Sequence, residues 1–228
     1  MRKLITGAFV SLDGVMQAPG GPDEDPTGGF RHGGWVAPYW DDTLTAAMNK
    51  TFSQPFDLLL GRKTYDIFAA HWPYVETDPK GNDFDQLNAD IALIFNRIVK
   101  YVATHRPESL GWQNSKSLGN DVPAAIRDLK KTDGPALLTQ GSTELLQALL
   151  AADLVDQLNL LVFPLVLGKG KKLFGAGAIP AAFRLTNSTV SPNGVVIATY
   201  ERGGEIATGS FEFETPTEAE IERRKNLT

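Results

Sequence analysis

A short run of apolar residues at 58–60 ends at Gly61, and a helix-like segment begins directly after it. An apolar run of this length that ends in glycine is typical of a buried strand, and the residues through 70 are typical of a helix. The same order recurs where residues 135–140 lead through Gly141 into a second helix-like segment. A chain that alternates buried strands with helices in this way folds into a layered α/β domain with a mostly parallel sheet.

The remaining segments follow the same alternation, and the chain ends its strands with a hairpin. Strands are predicted at 3–11, 58–60, 100–104, 135–140, 157–167, 183–191 and 195–202, and helices at 41–52, 62–70, 90–95, 122–131 and 143–152. Residues 108–121 are predicted as loop with at most one short strand. Asn193-Gly194 between the last two strands is a strong hairpin signal. We therefore expect one three-layer α/β/α domain over residues 1–202, with a mixed sheet and an antiparallel C-terminal hairpin. A polar extension with a short helix would occupy residues 203–228.

Composition excludes several functional classes. The net charge of −5 argues against nucleic acid or an anionic membrane as the main partner. The chain has no cysteine, which excludes disulfides, thiolate metal sites and a cysteine nucleophile, and suits an intracellular protein. The three histidines lack metal-ligand spacing, so no metal is expected. No apolar stretch reaches membrane-spanning length and the N-terminus does not read as a signal peptide, so we expect a cytoplasmic protein.

The helix after Gly61 would present free backbone N–H groups beside Arg62, Lys63 and Thr64. Amide donors, the positive end of a helix and basic side chains together hold phosphate. The alternative is that these residues are solvated charges at a strand end, and this segment alone slightly favours that alternative. The sequence matches neither a P-loop nor G-x-G-x-x-G.

The second junction, Gly141-Ser142, offers hydroxyls and N-terminal amides, although in isolation a plain helix N-cap is the better explanation. In an open α/β sheet both junctions would lie at the carboxyl edge, where ligands bind. A third strand there ends in Thr104-His105-Arg106, which adds a cation. Three such sites at one edge favour a dinucleotide such as NADPH.

The chain resembles the dihydrofolate reductase-like fold, and more closely the reductase domain of bacterial riboflavin biosynthesis, the RibD C-terminal type. The resemblance covers about residues 2–202. The segments that carry it are Ser11-Leu12-Asp13-Gly14, Leu60-Gly61-Arg62-Lys63-Thr64-Tyr65 with Trp72-Pro73, Gln140-Gly141-Ser142, and residues 164–174. The full pathway enzyme carries a deaminase domain with zinc-binding Cys and His, so a chain without Cys looks like a stand-alone relative.

The resemblance implies NADPH bound across the sheet edge. Gly61, Arg62 and Thr64 would hold phosphates, and Thr104, His105 and Arg106 would lie near the adenosine and its 2′-phosphate. Gln140, Gly141 and Ser142 would contact the pyrophosphate. The nicotinamide would be bordered by Ala8 and by the turn Asp13-Gly14-Val15.

One position departs from the dihydrofolate reductases, which carry a carboxylate in the helix about sixteen residues before the Gly-Arg motif. The corresponding residue here is Thr45. Without an acid at this position, pterin recognition and proton delivery are in doubt. Folate reduction is therefore disfavoured as the main activity.

The substrate side is less determined than the cofactor side. Asp13 is the candidate proton donor, although an aspartate before glycine is more often a turn residue. Trp40 and Trp72, with Trp35, would line an aromatic-ring pocket or else belong to the core. The Gly- and Pro-rich residues 16–38 would form a lid or a disordered insertion. Lysines 169, 171 and 172 would be solvated in a turn or bind a substrate phosphate.

We therefore expect an NADPH-dependent reductase of a small pyrimidine- or pterin-like heterocycle. The alternative is an NADP(H)-binding protein without turnover, and the substrate itself is not identified by the sequence. A homodimer is expected from the family and from the apolar run at 158–167, which exceeds what one face of an edge strand could bury.

Overall fold

The computed structural model describes residues 1–175, 178–211 and 215–227. The strands within these residues are β1 (Leu4–Ser11), β2 (Phe56–Gly61), β3 (Lys100–Ala103), β4 (Ser115–Ser117), β5 (Ala136–Gln140), β6 (Gln157–Phe163), β7 (Phe183–Val190) and β8 (Val196–Arg202). The α-helices within them are α1 (Asp42–Phe52), α2 (Arg62–His71), α3 (Gln86–Arg97), α4 (Val122–Lys131), α5 (Thr143–Ala151) and α6 (Glu218–Lys225). Part of the predicted polar extension, residues 212–214 and 228, lies outside the described residues.

The strands form one sheet in the order β4-β3-β2-β5-β1-β6-β8-β7. The pairs from β4 to β6 are parallel, whereas β8 is antiparallel to both β6 and β7. This confirms the predicted mixed sheet with an antiparallel C-terminal hairpin. Because β5 lies between β1 and β2, the carboxyl ends of these three strands are neighbours.

Helices cover both faces of the sheet and complete the three layers. On one face, Ile126 of α4 and Leu146 of α5 pack with Leu4 of β1 in a buried cluster. On the other face, Phe52 of α1 and Phe95 of α3 belong to a second cluster with residues of β2. The sheet is thus held between α4–α5 and α1–α3.

Two predicted boundaries are wrong for local physical reasons. Helix α3 begins at Gln86 rather than at 90, because the side chain of Asp85 accepts from the Asn88 N–H at 2.8 Å and caps a polar first turn that reads as loop. Strand β6 ends at Phe163 rather than at 167, because Pro164 has no N–H to donate to the ladder.

The apolar run in β6 is explained within the chain itself. Strand β6 is an interior strand between β1 and β8, and Leu158, Leu161 and Phe163 are buried. The premise that this run belongs to an edge strand is therefore wrong, and the expected homodimer stays a prediction. The edge strand on this side of the sheet is instead β7, of which every residue after Phe183 is exposed.

Residues 16–38 form a packed layer rather than a disordered insertion. Phe30, Trp35 and Val36 are buried in a third cluster that includes Phe163 of β6. The Gln17 side chain organises the segment, since its amide donates to the Asp25 and Thr27 carbonyls and its oxygen accepts from the Lys171 N–H at 3.0 Å.

One ion pair and one close backbone approach hold this layer in place. The Lys171 ammonium pairs with the Asp25 carboxylate, so this lysine is not merely solvated. At Gly33, a Cβ would lie only 2.5 Å from the Pro22 carbonyl oxygen, so the layer requires glycine there.

A buried lysine joins α3 to the beginning of β3. The Lys100 ammonium donates to the Phe95 carbonyl at 2.8 Å and lies 4.3 Å from the centre of the Trp112 ring. Burial lowers the pKa of Lys100 to about 8. The lysine satisfies carbonyls at the end of α3, where a positive charge is favourable.

Candidate functional site

The two strand–glycine–helix junctions meet at the carboxyl edge of the sheet. The Gly61 N–H donates to the Ser142 hydroxyl at 2.8 Å, which links the end of β2 to the end of β5. Thr64 lies beside Gly141, because a Cβ built on that glycine would be 3.9 Å from the Thr64 hydroxyl. The structure thus brings together Gly61, Thr64, Gly141 and Ser142, as predicted from the parallel topology.

These two junctions differ from the starts of the other α-helices in the described residues. The first amides of α1, α3, α4 and α6 are capped by the side chains of Asp41, Asp85, Asp121 and Thr217. Helix α2 begins after Gly61, which has no side chain, and α5 begins after Ser142, whose hydroxyl bonds to Gly61 instead. Two neighbouring helix N-termini therefore keep uncapped N–H groups, and such ends attract phosphate.

The backbone at the second junction takes a conformation that favours glycine. Gly141 has φ +74° and Ser142 has φ +68°, so two consecutive residues are left-handed. This turn directs the Ser142 hydroxyl towards Gly61 rather than onto the first turn of α5. Serine in this conformation carries strain of about 1 kcal/mol relative to glycine.

The Arg62 guanidinium is hydrogen-bonded to the loop that follows β3 and is not a free cation. Its Nη1 atom donates to the Ser109 hydroxyl at 2.6 Å, and also to the Thr104 hydroxyl and the Arg106 carbonyl, each at 3.3 Å. Its Nε atom pairs with Asp66 at 2.9 Å. Arg62 thus orders residues 104–109 beside the junctions, and its direct role in phosphate binding stays a prediction.

The strand end that Arg62 braces is a turn with two exposed basic side chains. The buried Thr104 hydroxyl accepts from the Arg106 N–H at 3.0 Å, which closes the turn. His105 and Arg106 project from it and are exposed. Since Gly61 pairs with Ala103 in the sheet, these side chains lie one strand away from the first junction.

Gln140 lies over β1. A Cβ on Gly7 would be 2.8 Å from the Gln140 amide nitrogen, so the glycine leaves the space that this side chain occupies. Ala8 follows in β1 and packs into the cluster on the opposite face of the sheet. Only the backbone of Ala8 can therefore border a ligand on the Gln140 side.

The turn after β1 is held by Asp13. Its carboxylate accepts from the Ser11 hydroxyl at 2.6 Å and from the Leu167 and Gly168 N–H groups, each at 3.0 Å. The Ser11 hydrogen bond and these amides lower the pKa of Asp13. A carboxylate held in the ionised form favours a structural role over proton donation, and its catalytic role stays a prediction.

The predicted nicotinamide residues Gly14 and Val15 belong to the same turn. Gly14 has φ +81° and its carbonyl accepts from the Leu173 N–H at 2.9 Å. Val15 is fully buried and bridges to Lys172. These backbone contacts hold the turn against the segment after β6. Only the backbone of the turn is therefore available to a ligand beside β1.

The three tryptophans proposed for the substrate side have different surroundings. Trp40 is half-buried, packs edge-on against Phe9 of β1 at 6.0 Å, and donates from its indole nitrogen to the Thr45 hydroxyl at 3.0 Å. Trp35 is buried against Phe163 at 5.2 Å. Trp72 packs on Phe95 at 5.1 Å, between α2 and α3. Trp40 thus lies over β1, whereas the contacts of Trp35 and Trp72 are those of core residues. The substrate-side roles of Trp40 and Trp72 stay predictions.

Several residues of the site were missed by sequence analysis. Gly7 carries no motif by itself, and Ser109 meets Arg62 across 47 positions of sequence. The bond between Trp40 and Thr45 spans the start of α1, where local patterns report helix and cap only. No sequence signal short of a register for β1 would have found these contacts.

Cavity shape does not by itself identify this site. An open depression of about 500 Å³ lies beside α2, lined by residues that include Tyr65 and Trp112. Another, of about 380 Å³, lies between α1 and α3. Neither is lined by Gly61, Gln140 or Ser142, so the uncapped helix ends and the hydrogen bonds carry the assignment.

The described residues contain neither a membrane-spanning helix nor a candidate metal site. None of the helices described is long and apolar enough to cross a membrane. Within the same parts of the chain, His, Asp and Glu side chains form no group suited to a metal ion.

Solved structures with similar folds include three that bear on this site. A Shewanella sp. PV-4 protein with a riboflavin-biosynthesis designation is 21% identical, with TM-score 0.56 over 89% of this chain and 99% of its own. A pyrimidine reductase-like protein of Corynebacterium diphtheriae is 13% identical, with TM-score 0.55 over 90% and 93%. Dihydrofolate reductase of Enterococcus faecalis, complexed with NADP(H), is 13% identical, with TM-score 0.52 over 88% and 96%. At these identities the likeness shows a shared dihydrofolate reductase-like fold.

Sequence comparison gives the family. The uncharacterized protein YyaP of Bacillus subtilis is 25% identical over 203 residues, which cover 89% of this chain and 96% of that protein. The family model of the RibD C-terminal domain matches residues 2–197, nearly the whole of the predicted reductase domain. The chain therefore belongs to the RibD C-terminal domain family.

Proposed function

We propose that this protein is an NADPH-dependent reductase of a small heterocyclic substrate of the pyrimidine or pterin type. The observation that carries the proposal is the pair of uncapped helix N-termini at the ends of β2 and β5, joined by the bond between Gly61 and Ser142. Membership of the RibD C-terminal family and the NADP(H) complex of a similarly folded reductase support it. Residues 1–202 would form the reductase domain.

The residues present fit a dinucleotide at this edge. The first turns of α2 and α5 would hold the diphosphate through N–H groups, with the Thr64 and Ser142 hydroxyls beside it. Arg106 is exposed, and it would meet the 2′-phosphate that distinguishes NADPH from NADH. Gln140 and Trp40 would position the two rings over β1.

When bound, NADPH supplies the hydride, so the protein has to orient the rings and exclude water. The 16–38 layer and the turn at Asp13 would form the wall that excludes water. The proton that accompanies the hydride would come from solvent, because the Asp13 carboxylate is already held by two amides and a hydroxyl.

An NADP(H)-binding protein without turnover is the second candidate. One observation favours it. The position that holds a carboxylate in dihydrofolate reductases is occupied here by Thr45, whose hydroxyl accepts from the Trp40 indole N–H. Dihydrofolate reduction is disfavoured for the same reason. A homodimer and a cytoplasmic location remain proposals, the first with exposed β7 as a candidate contact.

A fluorescence titration with NADPH tests the proposal. We expect NADPH to bind more tightly than NADH, and Arg106→Ala to reduce that preference by weakening NADPH alone. Arg127→Ala, which also removes an exposed arginine but from the middle of α4, is the matched control for loss of charge. No binding at millimolar NADPH would contradict both candidates. Binding without reduction of a panel of pyrimidines, pterins and quinones would favour the second.

A further inference from the structure

The backbone of Arg106 is held at both of its polar atoms by side-chain hydroxyls. Its N–H donates to the Thr104 hydroxyl at 3.0 Å, and its carbonyl accepts from the Ser109 hydroxyl at 2.8 Å. The Ser109 N–H donates to the same carbonyl at 3.2 Å. The direction in which the Arg106 side chain leaves the turn is therefore set by hydrogen bonds on either side of it.

One nitrogen of Arg62 joins these two hydroxyls. Its Nη1 atom donates to the Ser109 hydroxyl at 2.6 Å and to the Thr104 hydroxyl at 3.3 Å. The Nε atom of the same guanidinium pairs with Asp66, one turn later in α2, so the guanidinium is fixed at two points. Hydrogen bonds from a charged donor are stronger than those between neutral groups. The turn at residues 104–109 is thus anchored to the first turn of α2.

The Arg106 side chain has no comparable partner among the residues that the structure describes. It is exposed, and its guanidinium makes no ion pair or hydrogen bond with those residues. A guanidinium binds phosphate through two parallel N–H groups, so the direction of the side chain matters. A turn that is already ordered also avoids the cost of ordering it when a ligand binds. A fixed backbone below an unpaired arginine is therefore suited to a pre-organised contact with an anion.

We propose that Ser109 is a positioning residue for cofactor discrimination, because it ties the Arg106 carbonyl to Arg62 and so fixes the turn that presents Arg106 to the 2′-phosphate of NADPH. The proposal rests on the reductase function above and adds a residue that sets its choice of cofactor. Ser109 contacts neither the phosphate nor the reacting rings in this role. NADH lacks the 2′-phosphate, so its affinity does not depend on Ser109.

Fluorescence titrations of Ser109 variants with NADPH and with NADH test this assignment. We expect Ser109→Ala to bind NADPH about three- to tenfold more weakly and to keep its NADH affinity within about twofold. Ser109→Thr retains a hydroxyl and should restore the preference for NADPH. Ser53→Ala is the matched control, since the Ser53 hydroxyl also donates to the carbonyl three residues earlier, at 2.9 Å, but at the end of α1. It should change neither affinity.

A double-mutant cycle shows whether Ser109 acts through Arg106. In the Arg106→Ala background, Ser109→Ala should no longer change the NADPH affinity. An undiminished effect in that background would overturn the proposal, as would an equal loss of NADPH and NADH affinity in Ser109→Ala, which indicates a purely structural role.

The unmodified protein separates the two levels of inference. If it binds neither dinucleotide, the reductase function is contradicted and the role of Ser109 fails with it. If it prefers NADPH and Ser109→Ala keeps the whole preference, only the role of Ser109 is contradicted. Equal affinities of the unmodified protein for NADPH and NADH would likewise contradict the role of Ser109 while leaving dinucleotide binding intact.

Discussion

Ser142 performs two functions at the junction of β5 and α5, and two substitutions separate them. Its hydroxyl accepts from the Gly61 N–H at 2.8 Å, and its backbone is left-handed with φ +68°. Ser142→Ala removes the hydroxyl and keeps a side chain in the left-handed conformation. Ser142→Gly removes the same hydroxyl and also relieves the strain.

The two contributions are of similar size and opposite sign. Loss of the acceptor for a partly buried amide costs about 1 kcal/mol of the free energy of unfolding. Replacing a side chain by glycine in the left-handed region returns about 1 kcal/mol. Ser142→Ala should therefore be destabilised by about 1 kcal/mol, while Ser142→Gly should stay within about 0.5 kcal/mol of the unmodified protein.

Cofactor affinity should follow the hydroxyl and not the stability. Both variants lose the bond that holds the two helix N-termini together, so both should bind NADPH about three- to tenfold more weakly. Urea unfolding and NADPH titration of the same preparations measure the two quantities. If Ser142→Gly is destabilised as much as Ser142→Ala, the strain argument fails. If Ser142→Gly binds NADPH normally, the bridging role of the hydroxyl is refuted.

Three further substitutions test other parts of the structure. Gly33→Ala should destabilise the 16–38 layer and increase its proteolysis, since the new Cβ would meet the Pro22 carbonyl oxygen at 2.5 Å; a resistant variant would contradict this. Because the pKa of Lys100 is lowered to about 8 in the folded protein, the unfolded chain binds one more proton than the folded protein between pH 8 and 10.5. The free energy of unfolding of the unmodified protein should thus rise by up to about 3 kcal/mol relative to that of Lys100→Met between pH 8 and 10.5. Urea unfolding of both proteins measures this difference, and a difference that does not change with pH would refute the expectation. Asp13→Asn should lower stability at pH 7, and this deficit should shrink as pH falls through the lowered pKa of Asp13; a deficit independent of pH would argue against an ionised anchor.

The fold was predictable because its signals are local. Apolar runs that end in Gly61 and Gly141 mark strands that lead into helices, and Asn193-Gly194 marks the hairpin. Parallel pairing then follows from chain connectivity, and it correctly predicted that the two junctions are neighbours. The start of α3 was missed because its first turn is polar and depends on a cap from Asp85.

The detailed roles of site residues depended on contacts that sequence does not display. Arg62 reads as a free cation, yet Ser109, far along the chain, binds its guanidinium. Asp13 reads as a turn residue or a proton donor, and its amide partners come from residues 167 and 168. Such pairs are set by tertiary packing, which local propensity does not encode.

The central claim is that the first turns of α2 and α5 bind the phosphates of NADPH. An amide-resolved NMR titration of the isotope-labelled protein with NADPH tests it directly. We expect the amides of residues 62–64 and 142–145 to shift together and to saturate at one NADPH concentration. The capped first turns of α3 and α4 should not respond. Shifts confined to the depression beside Tyr65 and Trp112, or no shifts at millimolar NADPH, would contradict it.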